Sequence, residues 1–307
     1  MKMRIGCIDL VSNSFFPVLA AEELGFYKAE GLDAHVELVT GPKVFEALRD
    51  GTVDAAAGNA HGPLGSFPRW EGAKLVVAMT QEVPWLLVVR ADLPAKRGDL
   101  HALKGLRLAA APGPRPALRQ LLIEAGLDPE RDVQIMPLPD GMRPGISFGV
   151  FAARALEEGQ IDGFWANAMG GEVSIRRGVG KMLLDVRRGD GPAAARHFTF
   201  CGLVTTDALI ERDPERVAAA VRAIVKTQQA LRADPTRATE VGKRRFPPDA
   251  AELIATLVER DLPFYYPDIS EETVTALNRF AQSVGMLPGP VPYEQVVAVR
   301  FRDLWRS

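Results

Sequence analysis

Ala47-Leu48-Arg49-Asp50-Gly51-Thr52-Val53-Asp54 decides the reading of this chain, because the pattern occurs twice. Its counterpart is Ala155-Leu156-Glu157-Glu158-Gly159-Gln160-Ile161-Asp162. Both copies read Ala-Leu-x-x-Gly-x-(Val/Ile)-Asp. Each follows apolar residues at helical spacing and precedes a short apolar run, Ala55-Ala56-Ala57-Gly58 in one case and Gly163-Phe164-Trp165-Ala166 in the other. A helix that stops at the glycine enters the left-handed region there without a Cβ clash. The Val or Ile then turns inward, and the Asp opens a buried strand. Two copies a domain length apart predict two similar α/β lobes. A cleft between lobes is where small ligands bind.

Outward from the first copy, strands and helices alternate. Strands are expected over 4–9, 34–39, 53–58 and 75–79, with helices over 15–24 and 44–49 and a short helical piece over 64–70. Around the second copy, strands are expected over 85–89, 106–111, 133–138, 161–166 and 181–186, with helices over 99–104, 117–125 and 147–158. Such alternation predicts mostly parallel sheets with helices on both faces. The chain is expected to enter the second lobe at Arg90-Ala91-Asp92-Leu93-Pro94 and to return near Phe198 to Thr205. Lobe one is thus expected to hold residues 1–90 and 203–307, and lobe two residues 91–202. From Asp213-Pro214-Glu215 onward the pattern is helical, over 248–260, 270–284 and 293–305. Asp213 is suited to cap a helix with Pro at its first position, and Ser270-Glu271-Glu272 is a second start signal.

Composition narrows the function classes. The 307 residues carry 37 Lys and Arg against 39 Asp and Glu, a formal net charge of −2. The basic residues are scattered among acids, and Gly242-Lys243-Arg244-Arg245-Phe246 reads as the solvated end of a helix. Nucleic-acid binding is therefore not expected. No apolar run approaches the length of a membrane helix. Cys7 and Cys201 each sit in an apolar run and read as buried free thiols, a disulfide requiring that their strands be neighbours. His35, His61, His101 and His197 lack ligand spacing to one another or to Cys, so neither a metal nor an organic cofactor is expected.

With these residues in view, the chain resembles the type II periplasmic-binding-protein fold, with a helical C-terminus. More narrowly it is similar to the substrate-binding proteins of nitrate, sulfonate and taurine ABC importers and to the related thiamine-pyrimidine-synthesis group. The matching pieces are Ala20-Ala21-Glu22-Glu23-Leu24-Gly25-Phe26-Tyr27-Lys28-Ala29-Glu30-Gly31-Leu32, both copies of the repeat, and Asp99-Leu100-His101-Ala102-Leu103-Lys104-Gly105-Leu106-Arg107-Leu108-Ala109. They span nearly the whole chain and are structural turns. The resemblance implies a discontinuous first lobe and a ligand held between lobes, delivered to a transporter permease. Exported relatives carry a leader, and the sequence shows none before its first strand. The compartment is therefore read as periplasmic if a leader has been removed, and cytoplasmic if the chain is native as written. In the loop Thr40-Gly41-Pro42-Lys43, Pro42 removes a backbone donor that an oxyanion cradle would use.

Ligands of open parallel sheets lie beyond the carboxyl ends of the strands. That rule selects Ser12, Asn13 and Ser14, which either cap the following helix or bind a ligand there. It also selects Gly41, the pair Asn59 and His61, and Thr80. His61 reads either as a surface residue at a helix start or as an acid, base or carboxylate partner. In lobe two it selects Arg115 and Arg143, exposed side chains or carboxylate clamps. It also selects Trp165, core or aromatic wall, and Asn167. Together they suggest a small organic-acid or aromatic-acid anion held by lobe closure. The alternative is a cytoplasmic desulfinase-, decarboxylase- or hydrolase-like enzyme on the same fold, with His61 near Arg69. A desulfinase would want a Cys after the first strand, where the sequence has Ser12 and Ser14.

Overall fold

A computed structural model describes residues 1–138 and 147–306, the side chain of Asp249 excepted. Ten strands form two five-stranded sheets. They are β1 Lys2–Cys7, β2 Asp33–Leu38, β3 Ala55–Asn59, β4 Ala73–Thr80, β5 Trp85–Arg90, β6 Arg107–Ala110, β7 Gln134–Met136, β8 Gly163–Asn167, β9 Gly180–Asp185 and β10 Cys201–Thr206. The strand orders are β2-β1-β3-β10-β4 and β7-β6-β8-β5-β9. Within each sheet one strand runs against the rest: β10 pairs antiparallel with β3 and β4, and β5 pairs antiparallel with β8 and β9.

The repeated octapeptide explains why the two halves match. Gly51 has φ +74° and Gly159 φ +69°, so each ends its helix in the left-handed region, with open space where a Cβ would stand. Arg4, on β1, donates from its backbone N–H to Asp54 Oδ2 (2.7 Å) and from Nη2 to the Gly51 carbonyl (2.7 Å). Arg107, on β6, does the same to Asp162 Oδ2 (2.9 Å) and the Gly159 carbonyl (3.0 Å). The Asp thus fastens the start of its own strand to an Arg of the neighbouring one. Both copies continue in step for five further residues, so that β3 ends on Asn59 and β8 on Asn167.

The expected domain boundary at residue 90 is displaced. Trp85–Arg90 is a strand of the second sheet, so the chain crosses between Thr80 and Trp85. The return comes before β10, whose first residue is Cys201, and so before the expected position 203. Each crossing delivers the antiparallel strand of the sheet it enters, which spacing along the chain does not reveal. The two crossings lie side by side, with Val83 N–H donating to the Arg196 carbonyl (3.1 Å).

Cys7 and Cys201 lie in one sheet but flank β3, so a strand separates them. Both are buried free thiols, and burial pushes each up to about 12. After β10 the chain is helical as expected, with Asp213 and Ser270 capping through Arg216 N–H and Thr273 N–H. One expected helix is interrupted. Tyr293–Val296 is helical, but Val297 is extended and bridges Leu75, and only 3-10 turns follow over Val299–Arg306. The cause is the edge of the first sheet. β4 has unpaired carbonyls there, and Ala298 N–H and Trp305 Nε1–H bond those of Leu75 (2.9 Å) and Val76 (3.0 Å). The stretches expected as helix over 64–70 and 99–104 are also short 3-10 turns.

Candidate functional site

A cavity of about 580 Å³ opens between the two sheets, at the carboxyl ends of β1, β3, β6 and β8. Most of its wall is apolar, with Phe45 and Leu64 from lobe one facing Trp85 and Phe148 from lobe two. The polar lining is sparse and comes in matched places. Asn59 and Asn167, at equivalent positions of the two repeats, enter from opposite lobes.

Asp9 sits where β1 has just ended, partly buried at the cavity wall. Its Oδ2 accepts from Ser147 Oγ (2.7 Å) and Asn167 Nδ2 (2.9 Å), both of lobe two, and its Oδ1 accepts from Val11 N–H (2.9 Å). The Asn167 amide is fixed in that orientation. Its Oδ1 caps the helix Ala168–Arg176 through Met169 N–H (3.1 Å) and Gly170 N–H (3.4 Å), leaving Nδ2 for Asp9. Removal of bulk water around Asp9 raises its carboxyl to about 7, although the three hydrogen bonds pull the other way.

His61 makes a second bridge between the lobes. Nε2 lies 3.0 Å from the Gly113 carbonyl of lobe two and Nδ1 2.9 Å from Thr199 Oγ1. A carbonyl only accepts, so Nε2 carries the proton and Nδ1 accepts from the Thr199 hydroxyl. Burial depresses the imidazole to about 4, against the opposing bond to Gly113, so the ring is neutral at pH 7. Phe280 (5.4 Å between centroids) and Trp85 (6.4 Å) present their rings edge-on to it.

Residues 12–238 match the family described as NMT1/THI5 like. The chain belongs to that family. The protein described as "Putative binding protein YtlA" of Bacillus subtilis (strain 168) is 25% identical over 304 residues, covering 94% of this chain and 85% of its own. A solved structure from Bordetella bronchiseptica RB50 superposes with a TM-score of 0.78 at 20% identity, over 100% of this chain and 98% of that one. The periplasmic aliphatic sulphonate binding protein SsuA of Escherichia coli superposes with a TM-score of 0.70 at 18% identity, over 96% and 91%. The fold is therefore the two-lobed periplasmic-binding-protein type.

In this NMT1/THI5-like chain, Gly41, Asn59, His61 and Asn167 line the cavity, as the strand-end rule expects. Six other expected residues do not line it. Ser12, Asn13 and Ser14 are buried behind the wall; Asn13 Nδ2 donates instead to Asp261 (2.6 Å), and Ser12 Oγ accepts from Ser14 N–H (3.1 Å). Thr80 is fully buried at the first crossing. Arg115 folds back onto the Ala110 carbonyl (3.3 Å). Trp165 belongs to the core of lobe two, its ring 5.9 Å from that of Trp85. Arg143 lies outside the described residues. Arg69 is exposed, is not part of the wall, and pairs loosely with Glu71 (3.9 Å). The residues that sequence reasoning missed are Asp9, Ser147, Trp85 and Arg245. Asp9 lies within reach of the strand-end rule, three residues before Ser12. Arg245, expected as part of a solvated helix end, reaches the cavity wall and pairs with Glu23 (2.9 Å) and Glu22 (3.5 Å).

Asp9 and His61 give stability two opposed pH slopes. The Asp9 carboxyl is raised in the fold from 3.8 to about 7, so its contribution is complete at low pH and is lost as pH rises through about 7. The His61 imidazole is lowered from 6.5 to about 4, so its contribution is present above 6.5 and lost as pH falls through about 4. Where the two ranges overlap, from about 4 to 6.5, the slopes offset each other in the native protein. Asp9→Asn removes the first slope alone. Its unfolding free energy is therefore expected to climb relative to the native protein from pH 4.5 to 6.5, by at most about 1.4 kcal/mol per pH unit for one proton. Urea unfolding at four pH values checks this; parallel curves for the two proteins would refute it.

Proposed function

We propose that this protein is the solute-binding component of an ABC-type importer, taking a small organic molecule between its lobes and holding it by closure. The observation that carries this reading is the cavity itself, apolar-walled and bridged from lobe to lobe by Asp9 with Ser147 and Asn167 and by His61 with Gly113. Such bridges give closure an energetic basis, since they form only when the lobes meet. Binding relatives on the same fold support the reading, and the sulphonate-binding relative extends it to organic or aromatic acids as ligand class. Work outside the cytoplasmic membrane and delivery to a permease are parts of the same proposal. Within it, Asn59, Asn167, Gly41 and Trp85 are the contact residues.

One observation favours an enzyme instead. Ser147 Oγ donates to Asp9 at 2.7 Å, and a carboxylate raised to about 7 is a competent general base. The other candidate groups do not help it: both nitrogens of His61 are engaged, and both thiols are buried.

A thermal-shift screen of small carboxylates, sulfonates, aromatic acids and pyrimidines, followed by mass spectrometry of each mixture, separates the two. Stabilisation by a compound recovered unchanged is the expected result, because a ligand that binds only the native state raises the melting temperature. Consumption of the compound would establish the enzyme. With a binder in hand, Trp85→Ala and Asn59→Ala are expected to weaken it by about tenfold or more, the scale of a buried contact or hydrogen bond. Arg115→Ala is expected to leave affinity unchanged. An effect of Arg115→Ala equal to that of Trp85→Ala, measured by calorimetry, would mean that the cavity is not the site.

A further inference from the structure

Asp9 is an acid on the wall of a largely apolar cavity. Among the described residues it forms no ion pair. Arg245, the cation on the same wall, is held by Glu22 and Glu23. A carboxylate offers about four acceptor positions. Val11 N–H takes one on Oδ1, and Ser147 Oγ and Asn167 Nδ2 take two on Oδ2. No described residue takes the second position on Oδ1. Every described group that bonds the Asp9 carboxyl is a donor, and Asn167 cannot turn to accept because its own oxygen caps a helix. A carboxylate among apolar walls is costly unless it takes up a proton or a partner supplies both a hydrogen and a positive charge.

Resting on the binding-protein reading, we infer that the ligand carries a nitrogen donor, an amine, amidine or ring amino group, that seats on Asp9. Its body lies against Trp85, Phe45 and Phe148, which wall the same cavity. The ligand's acid group, where it has one, points away from Asp9, since two carboxylates at hydrogen-bond distance repel unless they share a proton. An amine alone supplies charge and hydrogen together; a hydroxyl supplies only the hydrogen. This ranks amino-bearing compounds above their plain counterparts of equal size.

The test uses matched probes on the full chain: benzylamine, benzamidine and 4-(aminomethyl)benzoate against toluene sulfonate, benzoate and 4-methylbenzoate. Affinities are measured by calorimetry for the native protein, Asp9→Asn and Ser147→Ala. The nitrogen-bearing probes are expected to bind about tenfold or more tightly than their counterparts, the scale of one hydrogen bond to a charged group. Asp9→Asn is expected to erase that preference. Ser147→Ala loosens the bridge between lobes but keeps the carboxylate, so it is expected to retain the preference while affinity falls for both series. Were Asp9 only a latch, both variants would weaken both series alike and leave the preference unchanged, which overturns the inference. Acids without nitrogen binding as tightly as their amino counterparts overturns it too, while the binding-protein reading stands. Binding by neither series removes both.

Discussion

Asp261→Ala is expected to cost about 3–5 kcal/mol, the scale for stranding one partner of a buried ion pair. Asp261 is fully buried at the end of the helix Pro248–Asp261. Its carboxylate takes Arg187 Nη1 (3.2 Å), Arg260 Nε (3.0 Å), Arg188 Nη2 (3.3 Å) and Asn13 Nδ2 (2.6 Å). Burial alone would raise this carboxyl; the charges of Arg187, Arg260 and Arg188 outweigh it and hold it below the usual range. Arg260 and Arg188 keep some contact with water and can turn to it, but Arg187 is only 2% exposed. Without Asp261 its guanidinium keeps the face of Phe264 (4.5 Å) and the carbonyls of Gln81 and Glu82, and no counter-charge among the described residues. Those carbonyls belong to the first crossing between lobes, so the loss is expected to reach the hinge. Urea unfolding gives the magnitude. The double variant Asp261→Leu with Arg187→Met is expected to recover much of the loss, since well-packed apolar groups often replace a buried pair without penalty. A single-variant loss under about 1 kcal/mol would mean that water reaches Arg187 and the cluster is not dry.

Gly170→Ala is expected to destabilise by about 1–3 kcal/mol, as overpacking does when the obstacle is backbone. A Cβ on Gly170 would stand 2.3 Å from the Gly149 carbonyl oxygen and 2.4 Å from its carbon. The helices Phe148–Glu157 and Ala168–Arg176 thus cross glycine on glycine, and neither main chain can step aside as a side chain would. The gain in helix propensity, up to about 1 kcal/mol, does not cover this. Separating the helices would also move Ser147, which opens the first helix and holds Asp9. Gly171→Ala is the comparison. There the Cβ meets only side-chain atoms, nearest Leu86 Cδ1 at 3.1 Å and Val88 Cγ2 at 3.3 Å, and a smaller loss is expected. Equal losses for the two variants, in denaturant unfolding with unchanged m, would refute the backbone argument.

The repeat was legible because its chemistry is local. A glycine at positive φ and the helix end before it lie within eight residues, and pattern alone exposes them twice over. The strand-end rule reached Asn59, His61 and Asn167 for the same reason, since each follows directly from where a strand stops. It did not reach Trp85, because that residue opens a strand and joins the cavity only through its place in the second sheet. Nor did it separate Ser12, Asn13 and Ser14 from the wall: they follow the right strand, but their side chains are buried behind the wall.

What the sequence by itself determined is the two-lobed α/β plan, the helical C-terminus and the set of strand ends that meet the cavity. Period, glycine and capping residues act within a few positions, so one strand of sequence suffices to read them. What only the tertiary structure decided is which strand runs antiparallel in each sheet, where the chain crosses, and the convergence of Asp9 with residues 138 and 158 positions away. The chemistry of the cavity depends on that convergence. A carboxylate's charge state and its free acceptor positions are set by how much water its neighbours exclude and which donors they aim at it, and those neighbours come from the other lobe.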